Sequence, residues 1–185
     1  MRPAKFYALL LISLILCLVT VACANNIDNI TEIRNLYQNT GVKIQNGELI
    51  ETKLDIVANS KISNDIIDKF DSSGPKYSFY WSPNSKKLVF ISRYSAHGTL
   101  ILETQYLFYD NGDLVFIFEK TSEVGDKQPS SVERYYFKNN KLLRYMDGDK
   151  IFEGKTIDSR IKGFSARALD KAQLLGHAFT TIMSL

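Results

Sequence analysis

Two histidines and one serine–lysine pair are the residues whose types could support catalysis. Ser73-Gly74-Pro75-Lys76 matches the Ser-x-x-Lys pattern, in which a lysine one helical turn along activates the serine. Gly74 and Pro75 are incompatible with that helix, so the match is rejected. His97 could act as a general base oriented by Glu103 or Glu119. A lone histidine in a turn is more typical of a solvated surface, and we therefore predict no catalytic residue.

Metal and phosphate sites are not indicated either. Metal sites need several ligands at workable spacing, and the only histidines, His97 and His177, lie far apart in the chain. Asp110-Asn111-Gly112-Asp113 contains calcium-type ligands but is far shorter than a calcium loop. His177 falls near the end of a predicted helix, where its charge would favour the helix dipole. No glycine-rich phosphate loop follows a predicted strand, so we predict no metal and no cofactor.

Cys23 carries the most specific chemistry in the sequence. Thr20-Val21-Ala22-Cys23 is similar to the lipobox of bacterial lipoproteins, in which the cysteine receives a diacylglyceryl group before cleavage in front of it. Thr20 stands where a leucine is usual. Ala22-Cys23-Ala24 also satisfies the small-x-small rule for ordinary cleavage before Asn25. A third interpretation keeps residues 6–24 as an uncleaved membrane anchor. We favour lipid attachment at Cys23.

The residues before Cys23 have the three parts of a secretory signal. Arg2 and Lys5 precede an apolar run from Phe6 to Val19 that only Ser13 interrupts, and small residues follow. We predict a signal peptide over 1–22, a lipid-anchor tether over 23–26 and a single α+β domain over 27–185. The protein would then be exported and anchored in the cell envelope, on the periplasmic or outer side. A soluble periplasmic or secreted protein is the alternative.

Charge and cysteine content restrict the class of protein further. The chain has 23 basic and 20 acidic residues, and loss of Arg2 and Lys5 would leave the mature domain nearly neutral. A neutral domain gives no electrostatic reason to expect nucleic acid as a partner. Both cysteines, Cys17 and Cys23, lie in the signal region, so stability must come from an apolar core rather than disulfides.

Hydrophobic spacing predicts a helix at each end of the domain and strands between them. Ile27, Ile30, Ile33 and Leu36 recur at helical spacing, with Gly41 as the expected stop, and residues 50–56 alternate as in a strand. Turn signals at His97-Gly98, Asn111-Gly112 and Asn139-Asn140 separate further strands. Residues 165–185 predict an amphipathic helix with Ser165 as N-cap. Its apolar stripe is Leu169, Ala172, Leu175, Phe179 and Met183. Gly176 is expected to mark close packing or an end.

These elements predict an α+β fold: an antiparallel β-meander with an N-terminal helix and a C-terminal amphipathic helix packed on one face. Leu114, Phe116 and Phe118 are expected on one side of their strand and Val115 and Ile117 on the other, so this central strand needs cover on both faces. The helices would cover one face. Sheet curvature, residues 71–75 or a partner would cover the second.

Three hairpins of the predicted sheet look alike, and their strands are rich in aromatic residues. Phe79-Tyr80-Trp81, Leu107-Phe108-Tyr109 and Tyr136-Phe137-Lys138 each precede a polar turn and a leucine-led strand, about 28 residues apart. An ordinary meander with aromatic strands would show the same pattern. Aromatic residues make up 12% of the chain. They either fill a core or form an aromatic sheet face that binds a protein, peptide or glycan.

The hairpin sequences resemble a family of uncharacterised bacterial exported proteins. The similarity rests on Tyr106-x-Phe108-Tyr109-Asp110-Asn111-Gly112-x-Leu114-Val115-Phe116 and on Glu133-Arg134-Tyr135-Tyr136-Phe137-x-Asn139-x-Lys141-Leu142-Leu143-Arg144. Ile33-Arg34-x-x-Tyr37 fits its opening, whereas Asn139-Asn140-Lys141 replaces the expected glycine-bearing turn. The resemblance spans about residues 33–154 and implies export and a β-rich fold. It transfers no site residue, because the family has no assigned activity.

The sequence favours a non-enzymatic, membrane-anchored binding or assembly module. Its partners would be the membrane, through the lipid anchor, and a ligand on the aromatic sheet face. A small periplasmic enzyme with an unrecognised site and an inhibitor or immunity-type protein are the alternatives. An enzyme would have a cleft with convergent titratable groups, and a binding module a broad apolar face.

Overall fold

The computed structural model describes residues 29–55 and 75–184 and confirms the predicted α+β fold with an antiparallel meander. Helix α1 occupies residues 29–45 and helix α2 Ser159–Met183. A short 3-10 turn, Gly154–Thr156, precedes α2. The strands are β1 (Ile50–Asp55), β2 (Lys76–Trp81), β3 (Leu88–His97), β4 (Leu100–Phe108), β5 (Leu114–Glu123), β6 (Ser131–Lys138), β7 (Lys141–Asp147) and β8 (Lys150–Glu153).

The eight strands lie in sequence order, and every neighbouring pair is antiparallel. The connections therefore alternate between two ends of the sheet. We call the end with the turns at 82–87, 109–113 and 138–141 the hairpin end. The opposite end, with the turns at 98–99, 124–130 and 148–149, is the far end.

The predicted turns are confirmed, and their backbone shows why these residues occur there. Asn139 and Asn140 have φ values of 50° and 59°, and Gly112 has a φ of 89°. The two-residue turn Asn139-Asn140 needs positive φ at both residues, and the three-residue turn Asp110-Asn111-Gly112 needs it at its last residue. Asparagine and glycine tolerate this conformation better than other residues. The turn that joins β7 and β8 follows the same rule, with Gly148 at a φ of 57°. The sequence analysis missed β8, although Asp147-Gly148 was available as a turn signal.

A β-bulge occurs at the same place in the three hairpins whose turns lie at the hairpin end. The register shifts directly after the pairs Trp81–Leu88, Phe108–Leu114 and Phe137–Leu142. Each second strand thus contains one extra residue, and a bulge of this kind bends the strand and increases its twist. The shared bulge supports the predicted equivalence of the three units. In the second and third units the equivalent triplets begin one residue earlier than the sequence analysis placed them.

The bulge also overturns the predicted alternation along β5. Leu114 and Ile117 face α2, whereas Val115 and Phe116 both face α1, so the grouping of Leu114 with Phe116 is wrong. One extra residue in the strand reverses which side chains point to each face. Both faces of β5 are nevertheless buried, as the sequence analysis required of a central strand.

The two helices lie on opposite faces of the sheet, which differs from the expected placement on one face. Ala172, Leu175 and Phe179 of α2 pack on one apolar cluster, and Ile30 and Ile33 of α1 pack on the other. The sheet contributes Phe79, Ile91, Tyr106, Ile117 and Phe137 to the α2 side and Phe90, Leu107, Phe116 and Tyr136 to the α1 side. Because the central strands are apolar on both faces, each amphipathic helix buries one face of the sheet.

Both helix boundaries differ from the predicted ones. Helix α1 continues through Gly41 to residue 45, because Thr40 and Ile44 still pack towards the sheet. The turn after it contains Gly47, whose φ is 71° and whose N–H donates to the Ile44 carbonyl over 3.1 Å. A glycine in this conformation is a common helix stop.

Helix α2 begins six residues earlier than predicted, and Ser165 is not its N-cap. The Asp158 carboxylate accepts a hydrogen bond from the Ile161 N–H over 2.8 Å and caps the helix. Ile161 is buried and extends the apolar stripe past Gly163. Gly176 marks neither an end nor close packing, since a Cβ at that position would meet no atom within 4 Å.

Candidate functional site

A cleft of about 460 Å³ lies at the hairpin end, between α2 and the turns of the three bulged hairpins. Residues 169–180 of α2 form one wall, and the turns at 82–87, 109–113 and 138–141 form the other. Helix α2 crosses the sheet towards β2, where the Phe179 ring stacks on Phe79 with centroids 5.9 Å apart. The cleft therefore runs along the edge where helix and turns meet. We call it the hairpin-end cleft.

The floor of the hairpin-end cleft is apolar. It consists of Leu88, Phe108, Leu114, Leu169, Ala172 and Phe179. Phe108 and Leu114 are the residues that flank the second bulge. The second hairpin thus supplies Phe108 and Leu114, the first supplies Leu88, and α2 supplies the rest of the floor.

The rim of the cleft is polar and mostly uncharged on the helix side. Gln173, His177 and Thr180 of α2 face the turn residues Asn111 and Asn140 across the opening. Amide, imidazole and hydroxyl groups can both donate and accept hydrogen bonds. The rim can therefore satisfy the polar groups of a ligand whose apolar part lies on the floor.

Charged residues on two of the turns complete the rim. Lys86 and Lys87 come from the first turn, and Asp110 and Asp113 come from the second. The Lys86 ammonium lies 4.8 Å from the centre of the Trp81 ring, a distance at which a cation–π interaction holds it. Asn111 Nδ2 donates to Asp113 Oδ2 over 2.8 Å, and the Asp113 N–H donates to Asn111 Oδ1 over 3.0 Å. The second turn is thereby fixed by its own side chains.

Gly176 lies in the helical wall of the cleft, where its missing side chain leaves the backbone open. Since nothing lies within 4 Å of where its Cβ would be, a ligand can approach the helix closely there. Gly163 sits in the same helix with equally open space but does not line the cleft. The two glycines form a matched pair for testing the site.

A second groove, of about 710 Å³, lies on the α1 side of the same turns. Asp110 and Asn111 line both openings, so the second turn separates them. The Tyr109 hydroxyl donates to Glu32 Oε1 of α1 over 2.9 Å, and burial together with that carboxylate raises the pKa of Tyr109 to about 12. Helix α1 is thus tied directly to the hairpin end.

A row of polar side chains crosses the sheet beneath α2. Arg93, Thr104, Glu119 and Glu133 are register partners on β3, β4, β5 and β6. Thr104 Oγ1 donates to Glu119 Oε1 over 3.5 Å. Burial raises the pKa of Glu119, the neighbouring Glu133 raises it further, and Lys171 of α2 partly offsets both. Burial and the Arg93 charge lower the pKa of Lys171. The row therefore holds charges that burial disfavours.

Both ends of that row make hydrogen bonds, but one buried donor has no partner. The Tyr135 hydroxyl donates to Glu133 Oε2 over 2.5 Å, and burial raises the Tyr135 pKa. Arg93 Nη2 donates to Ser95 Oγ over 3.3 Å, whereas Arg93 Nε is buried without a hydrogen-bond partner. An unsatisfied buried donor is destabilising by itself. The row couples α2 to the sheet through electrostatics, outside the cleft.

His97, the histidine that the sequence analysis considered as a general base, lies at the far end. Its Nε2 is 3.3 Å from Ser95 Oγ. Glu103 is on the opposite face of the sheet and pairs with Lys120 over 3.0 Å. Glu119 is on the same face, but four residues separate its register position from His97, about 13 Å along the strand. Neither carboxylate is placed to orient His97.

Not every residue considered in the sequence analysis belongs to the described part of the chain. Cys23 and Ser73 fall outside it, as do most of residues 71–75, while Lys76 opens β2. His177, expected only to favour the helix dipole, lines the cleft. Most aromatic side chains of the sheet pack in the two cores, and Tyr94 of β3 is a large exposed exception. Phe164 of α2 is exposed as well.

Neither a metal-binding cluster nor a membrane-spanning helix occurs within residues 29–55 and 75–184. No group of three or more histidine, cysteine or acidic residues there is arranged to hold a metal ion. None of the helices in these ranges combines the length and apolar character that crossing a bilayer requires.

Comparison with protein-family models, with curated proteins and with solved structures finds no match for this chain. The resemblance to uncharacterised exported proteins stays a prediction. The site must therefore be interpreted from its own geometry.

Sequence reasoning identified the turns around the cleft but missed the cleft itself. Asn111 and Asn140 were recognised as turn residues, and Leu169 and Phe179 as the stripe of a helix. The repeat of about 28 residues was the available signal, because equivalent hairpins place their turns at one end of a meander. The position of α2 against those turns is set by tertiary packing, which the local pattern does not encode.

Proposed function

We propose that this chain is an exported, lipid-anchored envelope protein that acts as a binding module and holds its ligand in the hairpin-end cleft. The observation that carries the proposal is the cleft's composition, an apolar floor beneath a rim of donor and acceptor side chains. Ligand sites commonly have this arrangement: burial of apolar groups supplies affinity, and a few polar groups fix orientation.

The anchor in this proposal rests on sequence. Residues 1–22 have the composition of a signal peptide, and the lipobox-like residues 20–23 end at Cys23. A thioether-linked diacylglyceryl group would hold the mature domain at the membrane surface. The nearly neutral charge of the mature domain is compatible with a partner other than nucleic acid.

A catalytic role is supported less well by the arrangement of titratable groups. The Ser95–His97 pair lies at the far end of the sheet, whereas the hairpin-end cleft lies at the other end. Catalysis requires a nucleophile and base beside a space for the substrate. His177 lines the cleft beside Thr180, but the Thr180 hydroxyl donates to the Gly176 carbonyl over 3.0 Å rather than to His177.

Position-specific photocrosslinking in intact envelopes tests the binding cleft. A benzophenone side chain at Gln173, which lines the cleft, should give a discrete adduct. The same group at Leu174, which is 69% exposed on another side of α2, should not. The two positions are adjacent in the chain, so expression and membrane location are matched.

A second pair of variants tests whether the adduct depends on the space inside the cleft. Gly176→Leu fills the cleft wall and should remove the adduct, whereas Gly163→Leu should leave it unchanged, because Gly163 lies outside the cleft. Equal adducts from positions 173 and 174, or an adduct that survives Gly176→Leu, would contradict the proposal.

A further inference from the structure

We infer that the hairpin end of the sheet faces the membrane and docks on anionic lipid headgroups, so that the hairpin-end cleft opens at the bilayer surface. The inference rests on the proposed lipid anchor. Three observations support it: where the described chain begins, how far the tether can reach, and how charge is divided between the two ends of the sheet.

The described part of α1 begins at the hairpin end. Lys138 Nζ, beside the third turn, donates to Asn29 Oδ1 over 2.5 Å. Glu32, one turn further along α1, accepts the hydrogen bond from Tyr109 beside the second turn. The chain that leads back to Cys23 therefore departs from this end of the molecule.

The tether is short compared with the sheet. Six peptide bonds join Cys23 to Asn29, and a fully extended chain of that length spans at most about 22 Å. The longest strands, such as β5 with 10 residues, span about 33 Å from the hairpin end to the far end. An acyl group on Cys23 would thus hold the hairpin end closer to the bilayer than the far end.

The number of charged residues of each sign also differs between the two ends of the sheet. The turns of the hairpin end carry four exposed lysines, Lys86, Lys87, Lys138 and Lys141, against Asp110 and Asp113. The turns of the far end carry Lys127 against Asp126 and Asp149, and the strand residues beside these turns add Lys150, Glu123 and Asp147. Anionic membranes attract lysines close to their surface. Lys43 of α1 adds one cation to the hairpin end, and Glu32 and Glu48 add two carboxylates. The hairpin end is still the more basic of the two ends and is therefore the end that complements anionic headgroups.

Fluorescence quenching on vesicles measures this orientation. The lipidated protein carries one added thiol, from Ser85→Cys at the hairpin end or from Gln128→Cys at the far end, and a fluorophore is attached there. Both positions are exposed, and the sequence has no other cysteine after Cys23. The vesicles contain phosphatidylcholine, a minor fraction of phosphatidylglycerol and a lipid with a spin label on its headgroup. The fluorophore at position 85 should be quenched, and the one at position 128 should not.

Charge reversal separates the lipid contact from the tether. Lys87→Glu with Lys141→Glu should reduce quenching at position 85, whereas Lys127→Glu with Lys150→Glu should not, although both pairs change net charge equally. Equal quenching at positions 85 and 128 of a lipidated protein would overturn the inferred orientation but leave the proposed anchor standing. An unmodified Cys23, found by mass spectrometry of the purified protein, would overturn the anchor and this inference with it.

Discussion

Glu119 is the residue whose environment most directly links charge to stability. It lies beneath α2 beside Glu133, and its pKa is raised chiefly by burial. In the folded state its ionised form is thus disfavoured relative to the unfolded state. Its contribution to stability is greatest below the unfolded-state pKa, near 4.5, and declines as pH rises through the higher folded-state pKa.

Glu119→Gln should therefore stabilise the protein at neutral pH. Glutamine can still accept the hydrogen bond from Thr104 but carries no charge, so the free energy of unfolding should rise by about 1.4 kcal/mol for each pH unit by which folding raises the carboxyl pKa. The gain should disappear below about pH 4, where the wild-type carboxyl is protonated in both states. Denaturant unfolding across pH measures both effects.

Glu103→Gln is the matched control for that change. Glu103 lies on the opposite face of the sheet in an ion pair with Lys120, so its loss should destabilise by no more than about 1 kcal/mol. If Glu119→Gln destabilised the protein at pH 7, the attraction of Glu119 for Lys171 and Arg93 would outweigh burial, contrary to our account.

At the scale of elements, helix α2 is expected to be a structural part of the domain. Its Phe179 ring is 4% exposed and stacks on Phe79 of β2. The sequence predicted burial of the whole stripe, Leu169, Ala172, Leu175, Phe179 and Met183. Ala172, Leu175 and Phe179 are buried and Leu169 is half-buried, whereas Met183 is 38% exposed. Burial of this stripe accounts for the position of α2 over the sheet.

Phe179→Ala should lower the free energy of unfolding by about 3–5 kcal/mol, because it removes a large buried ring and leaves a cavity. Leu174→Ala on the exposed side of the same helix should change it by less than about 0.5 kcal/mol. Denaturant unfolding of the two variants measures the difference. Similar small effects would indicate that α2 is a detachable arm rather than part of the core.

The elements also show which features a sequence pattern can predict. Turns were predicted well because Gly112, Asn139 and Asn140 meet a local backbone requirement. The alternation in β5 was predicted wrongly, because a bulge at Val115 depends on pairing with β4. Helix ends were missed for a similar reason, since burial of Ile161 and Ile44 extends each helix past its glycine.

At the scale of the whole molecule, the sequence predicted the fold class but not the layer order, that is, which face of the sheet each helix covers. The apolar pattern of the strands required cover on both faces, yet it did not specify which helix would supply it. Opposed helices leave the hairpin end open on both faces, and clefts of about 460 and 710 Å³ occupy those two positions. The candidate site is therefore a consequence of the layer order, which explains why sequence reasoning did not find it.

The proposed function also depends on whether the chain is anchored in the envelope at all. A binding module at the membrane surface, with its hairpin end towards the bilayer, needs the anchor at Cys23. Ordinary cleavage would instead release a soluble domain, and an uncleaved apolar segment would leave a membrane helix in front of it.

Mass spectrometry of the N-terminal peptide from the protein purified out of its own envelope tests this claim most directly. We expect the mature chain to begin at Cys23 with a diacylglyceryl group on its sulfur. We also expect the protein to partition into the detergent phase, and Cys23→Ala to abolish the modification. A mature protein that begins with unmodified Asn25, or one that retains residues 1–22, would contradict the account.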